Sequence, residues 1–248
     1  VTTDPLAPLL ELADVAPAAQ RARERFDEAL RHRALRRHGG QVTAEVSLRS
    51  AVASAALEGY GYDREAVRAG TVTDPVLQGA LRVAGALPGL TDLWPKAPRQ
   101  ALARLHVLAA RDVVPEPELG RPVADPVVGA RLDHLAALVA GGTRVTPLVL
   151  ASVVHGELLA LRPFAGPSGV VARGAARLVL LASGTDPRGL LAVDVGHHER
   201  EPEYVGAAGA FATGTPDGLR SWLRHYMTAV EVAADELTRI GDEVLAAS

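Results

Sequence analysis

Five prolines set the frame of this chain. Asp74-Pro75, Ala97-Pro98, Asp125-Pro126, Thr146-Pro147 and Thr215-Pro216 each stand just ahead of a stretch with helical periodicity. Proline suits the first helical position, where its missing N–H would have had no partner. An Asp or Thr before it can cap the free N–H groups of the first turn. Beyond Thr146, Leu148, Ser152, His155 and Leu159 share one helical face. Beyond Thr215, Leu219, Leu223, Tyr226, Val230, Leu237, Ile240 and Val244 trace a long amphipathic helix. No run of alternating β-branched and polar residues is long enough to define a sheet. The fold class is therefore all-α, with helices expected near 8–37, 43–58, 63–69, 75–87, 98–111, 126–140, 147–161, 169–183, 198–212 and 216–246. Between Val113 and Val123, Pro115, Pro117, Gly120 and Pro122 favour an extended element, either a short β-hairpin or a flap.

Composition agrees with close helix packing. Hydrophobic residues make up 48% of the 248 but aromatics only 4%, so the core must be built from Ala, Leu and Val. One compact unit is expected, with residues 1–42 as a helical extension and 43–248 as the core. The absence of Cys excludes disulfides and Cys-ligated zinc. Net charge is −3, and the arginines neither cluster with aromatics nor form one basic face, so nucleic acid is not an expected partner. No apolar run approaches the ~20 residues of a membrane span, and Val1 to Pro5 carry no signal-like core. Cytoplasm is the expected compartment. The charged stretch from Arg21 to Arg37 reads as a solvated face, with a homodimer or partner surface as the alternative.

The chemistry concentrates in Leu161-Arg162-Pro163-Phe164-Ala165-Gly166-Pro167-Ser168-Gly169-Val170-Val171-Ala172-Arg173. This loop joins two helices and follows no strand, so it is neither a Walker loop nor a dinucleotide fingerprint. His197-His198-Glu199 lacks a second ligand cluster and reads as the start of a helix rather than a metal site. His106 and His155 read as hydrogen-bonded core or boundary residues.

The stretch resembles the signature of the Fic (Fido) family, His-x-Phe-x-Asp/Glu-Gly-Asn-Gly-Arg-x-x-Arg. Its neighbours resemble that family in order as well: Leu105-His106, Gly120-Arg121 at the start of a flap, His155 seven residues ahead of Arg162, Glu203-Tyr204, and Ser221-Trp222-Leu223. Ser54-Ala55-Ala56-Leu57-Glu58-Gly59 resembles the family's inhibitory motif. The resemblance covers about residues 43–235. It implies a Fic-like helical fold in which the loop's N–H groups and the following helix N-terminus cradle nucleotide phosphates. In such proteins a His acts as general base, an acidic residue holds Mg²⁺, and two arginines meet phosphate during transfer of a nucleotide monophosphate, usually AMP from ATP, to a protein.

This chain departs from the pattern at the working positions. Arg162 replaces the base and stays protonated at neutral pH. Gly166 replaces the acidic residue, Val170 the first arginine, Pro167 a backbone donor, and Ser168 the Asn. We therefore expect a pseudoenzyme with no catalytic residue and no Mg²⁺ or ATP cofactor. Arg162, Phe164, Ser168, Gly169 and Arg173 form the candidate ligand site for a small anion, a nucleotide or a protein. The alternatives are a transferase or hydrolase with rewired chemistry on a phosphate-containing substrate, and a purely structural or partner-binding module. Arg162 has two readings: a cation facing the loop, or a cap on the carbonyls of the preceding helix. Glu58 and Arg173, which pair in the family's inhibited form, read here as a structural pair, with a regulatory switch as the alternative.

Overall fold

Three of the Asp/Thr–Pro pairs are genuine side-chain caps in the computed structural model, which describes residues 4–248. Asp74 accepts from the N–H groups of Val76 and Leu77, Asp125 from Val127 and Val128, and Thr215 from Gly218. Thr146 makes no such bond. The α-helices are α1 (Val15–Ala29), α2 (Ala34–Arg37), α3 (Gly39–Ala56), α4 (Arg64–Arg68), α5 (Pro75–Ala86), α6 (Pro98–Ala110), α7 (Pro126–Ala137), α8 (Pro147–Leu161), α9 (Ser168–Ala182), α10 (Val193–Glu199), α11 (Glu201–Ala212) and α12 (Pro216–Ala246). Among the described residues there is no strand, and no helix is long and apolar enough to cross a membrane.

Helix α9 is the axis of the fold. Every residue from Gly169 to Leu181 is buried, as expected of a helix that is apolar all round and must be wrapped on every side. α8, α3, α5 and α6 pack around it, and the long α12 closes the assembly against α1, α10 and α11. The bundle tightens where Trp222 of α12, fully buried, donates its indole N–H to the Ser152 carbonyl at 2.8 Å. Gly156 of α8 lies beneath this ring; a Cβ there would meet Trp222 Nε1 at 2.8 Å and the Phe211 ring at 3.0 Å. Opposite, the buried Arg49 of α3 is paired with Glu45 at 2.6 Å, Glu236 at 2.7 Å and Glu243, which fastens α3 to α12.

The helix expected over 8–37 is three pieces: a 3₁₀ turn at Ala7–Glu11, then α1, then α2. Tertiary contacts override its continuous charge pattern. The His32 ring accepts the Ala34 N–H through Nδ1 and reaches Asp242 of α12 through Nε2 at 3.2 Å, turning the chain back onto α12. α3 opens at Gly39, so the boundary expected at 42/43 falls inside its first turns. The segment 113–123 is not a hairpin: it consists of turns around a 3₁₀ turn at Glu116–Glu118. Pro115, Pro117 and Pro122 offer no N–H for a ladder. It is nevertheless pinned over the signature loop, because Val123 N–H donates to the Pro163 carbonyl at 2.9 Å. His197-His198-Glu199 ends α10 rather than starting a helix; the chain breaks at Arg200 (φ −121°, ψ 38°) before α11.

The caps differ in a testable way. Asp74→Ala and Asp125→Ala should each remove about 1 kcal/mol of stability. Thr146→Ala, whose hydroxyl caps nothing, should change it by a few tenths at most. Denaturant melts of the three variants would check the order.

Candidate functional site

The loop between α8 and α9 opens onto a cavity of about 690 Å³, within the range of small-molecule sites. Arg162, Phe164, Gly166, Ser168, Gly169 and Arg173 line it from the loop and α9; Glu58 and Tyr204 complete it from the end of α3 and from α11. All five residues of the expected ligand site thus meet one space, and Glu58 joins them.

Arg162 ends α8 in the left-handed region (φ 45°, ψ 58°), with its N–H bonded to the Leu158 carbonyl. That backbone turn directs the chain into the loop, and the exposed side chain lines the cavity. Among the described residues its guanidinium has no hydrogen-bond or ion-pair partner. Of the two readings, the carbonyl-capping one finds no bond. Phe164 is buried and stacks on His106, with ring centroids 4.7 Å apart. His106 Nδ1 accepts the Gly120 N–H at 2.9 Å, which leaves Nε2 to donate to the Ala165 carbonyl, also at 2.9 Å. One ring therefore ties the flap to the loop, and burial holds its pKa below the usual histidine range.

The loop leaves few N–H groups free. The Ser168 N–H, expected to be available, is bonded within the loop to the Gly166 carbonyl at 2.7 Å. Among the described residues the Gly169 N–H has no partner, and the Ser168 hydroxyl is buried with none. Val170 is packed in the core. Gly166 adopts φ +73°, and a Cβ there would meet Val114 of the flap at 2.8 Å. The donor set does not suit Mg²⁺. Glu58 is the only carboxylate on the cavity wall, and among the described residues no group of three or more His, Asp or Glu could hold a metal ion.

Glu58 sits just past the end of α3 and binds Arg173 through Oε1 at 2.7 Å. Its carboxylate lies over Gly169, where a Cβ would overlap it. Arg173 is fully enclosed. Its Nε donates to Ser54 Oγ at 2.8 Å, its terminal nitrogens donate to the Ser54 carbonyl at 2.8 Å and Tyr204 Oη at 3.2 Å, and Asp194 lies 3.7 Å away. Burial opposes the charge, but Tyr204, Glu58 and Asp194 outweigh it and raise the pKa. Asp194, which also accepts from the Ser50 hydroxyl, is the member that sequence reasoning missed. A lone acid in the apolar run Leu190–Val195 was its signal.

Beneath this network His155 bonds Tyr204 Oη at 3.0 Å, and His197 Nδ1 meets His225 Nε2 at 3.0 Å. Burial, then the Arg173 charge and His225, hold His155 well below the ordinary histidine pKa. Burial, then its histidine neighbours and Arg173, do the same for His197. Burial brings His225 down to about 4.

No family model matches the sequence, and no curated protein matches it. Solved structures do. A Fic family protein from Desulfovibrio desulfuricans superposes with a TM-score of 0.70 at 23% identity, over 89% of this chain and 74% of that one. Fic-1 from C. elegans gives 0.71 at 17% identity, over 97% and 76%. A Fic domain-containing signaling protein from Bacteroides thetaiotaomicron gives 0.57 at 14% identity, over 91% and 98%. The chain has the Fic fold.

Two predictions follow from the charges. Arg173→Met should destabilise by about 3–5 kcal/mol, because it strands the Asp194 and Glu58 charges and leaves the Ser54 hydroxyl and carbonyl without their partner. Glu58→Gln should cost far less, since Arg173 keeps its other partners; chemical denaturation would show the asymmetry. The histidines fix the sign of the acid response. Unfolded, they titrate near ~6.5; folded, they refuse the proton until lower pH. The unfolded state therefore binds more protons below about 6.5, and stability falls from there down through about 4. The melting temperature should drop across that window, and His225→Gln should flatten the drop.

Proposed function

We propose that this protein is a pseudoenzyme of the Fic fold that recognises an anionic group at the loop between α8 and α9 and transfers no nucleotide. The observation that carries the reading is the make-up of the cavity wall. The only side chain there that could serve as a carboxylate base is Glu58, and it is bound to Arg173. At the place where a general base would have to stand, Arg162 presents a permanent cation. Loss of a positioned base removes about 10²–10⁴ in rate by itself, and no carboxylate replaces the one lost at Gly166. What remains is electrostatic: the Arg162 guanidinium, the free Gly169 N–H and the positive end of α9 converge on one space. Glu58 already holds part of it as an internal anion, which supports weak binding by the unmodified chain.

Two measurements test this. Incubation with ATP and Mg²⁺ should leave the intact mass of the protein and of added proteins unchanged; a nucleotide-sized increase would sink the pseudoenzyme reading. Calorimetry with phosphate should show weak binding that does not need Mg²⁺. Glu58→Gly should tighten it and Arg162→Ala weaken it, each by about tenfold. If Glu58→Gly gains no affinity, the loop is a connector between helices and anion recognition is wrong.

A further inference from the structure

A second cavity, about 580 Å³, lies away from the signature loop, between the start of α3, the end of α5 and the far half of α9. Three features with no role in the first site face it. One is Arg177 of α9, which is only 8% exposed and lines the cavity, yet has no hydrogen-bond or ion-pair partner among the described residues. Its Nη2 lies 3.9 Å from where a Cβ on the lining residue Gly189 would sit. The aspartates nearby are committed elsewhere. Asp186 accepts from the Leu190 and Leu191 N–H groups at 2.8 and 2.9 Å, and Asp194 serves Ser50 and Arg173. Arg177 feels Asp186 only through space, and an enclosed guanidinium whose N–H groups meet no acceptor is costly, so an Arg of this kind points to an occupant that supplies acceptor oxygens.

The second feature is the start of α3. Its cap position, His38, makes no side-chain bond to the helix, and its first turn holds no acidic residue. Gly39 and Gly40 therefore bring an uncapped, positive helix end to the cavity wall. The third is Arg188, which lies against Gly39 so closely that a Cβ there would overlap its guanidinium. Arg188 likewise has no hydrogen-bond or ion-pair partner among the described residues. Two arginines and a helix N-terminus thus converge from three separate segments, with the hydroxyl-bearing Thr43 and Ser47 beside them and Leu87, Pro88 and Leu181 forming an apolar wall.

We infer that this cavity is a binding site for a small organic phosphate. The phosphate is held by Arg177, Arg188 and the α3 N-terminus, and its carbon portion lies on the Leu87, Pro88 and Leu181 wall. Bidentate arginine contacts match a terminal phosphate with several free oxygens. The cavity is much larger than an inorganic ion requires and has the size of a metabolite site. The site is independent of Arg162 and Glu58.

The test uses the full chain carrying Arg162→Ala, which weakens the first cavity's already weak anion binding by about a further tenfold. Ribose 5-phosphate, ribose and inorganic phosphate are titrated by calorimetry. Ribose 5-phosphate should bind, more tightly than inorganic phosphate, while ribose should not bind. Arg188→Ala should weaken it by about tenfold, and Arg177→Gln by at least as much. Gly40→Asp guards against loss of fold. The space around Gly40 is open, and an acid in a first turn favours the helix. This variant should therefore melt no lower than its parent and yet lose binding by competing for the same helix end. Absence of ribose 5-phosphate binding up to about 10 mM, equal binding by Arg188→Ala and Gly40→Asp, or no preference over inorganic phosphate would each overturn the assignment.

Discussion

The guanidinium of Arg173 is the point on which this fold depends. It is carried on the one helix buried on all sides, and it gathers Ser54 and Glu58 from α3, Asp194 from α10 and Tyr204 from α11. A charge in such a place is tolerable only when its hydrogen-bonding positions are filled. Filling them requires the end of α3, the start of α10 and the middle of α11 to arrive in register. Tyr204 then passes the constraint to His155 and the aromatic layer under Trp222. Arg173, the last arginine of the signature-like stretch, is the buried polar centre of the molecule.

Phe164, Gly169 and Arg173 are held by packing: Phe164 by His106, Gly169 by the carboxylate lying over it, and Arg173 by its four partners. Changes at those positions would disturb the fold. Arg162 stands exposed at a helix end, Gly166 in an open loop, and Val170 fits an apolar core. Gly166 is nonetheless constrained by its left-handed backbone and by Val114, and Val170 by the core around it, so of the three only the Arg162 side chain is free of packing.

Much of this was legible in the sequence, for reasons that differ from element to element. The Asp–Pro and Thr–Pro starts are local events settled within one turn, so helix beginnings such as Pro75, Pro126 and Pro216 could be read directly. The meeting of Glu58 with Arg173 spans 115 residues, nearly half the chain; it was legible only through resemblance, since no periodicity places those two side chains together. The break at His32 and the short α10 were not legible, because both are imposed by docking on α12 and α3. The flap misled for a chemical reason, as prolines that suggest extension also remove the N–H groups a hairpin needs. Arg177 went unnoticed although Arg173 and Arg177, one turn apart in an otherwise apolar helix, were a visible anomaly.

The imidazole of His106 bears on how the mouth of the signature cavity behaves. With one nitrogen accepting from the flap and the other donating to the loop, the ring acts as a spacer of fixed length between two segments that have no regular secondary structure of their own. Because the ring belongs to α6 and is clamped by Phe164, neither segment can shift without tearing a buried bond. The opening therefore has its contour built in before any guest arrives. The mouth is thus shaped by packing within the chain, the ring of His106 holding its two edges a fixed distance apart.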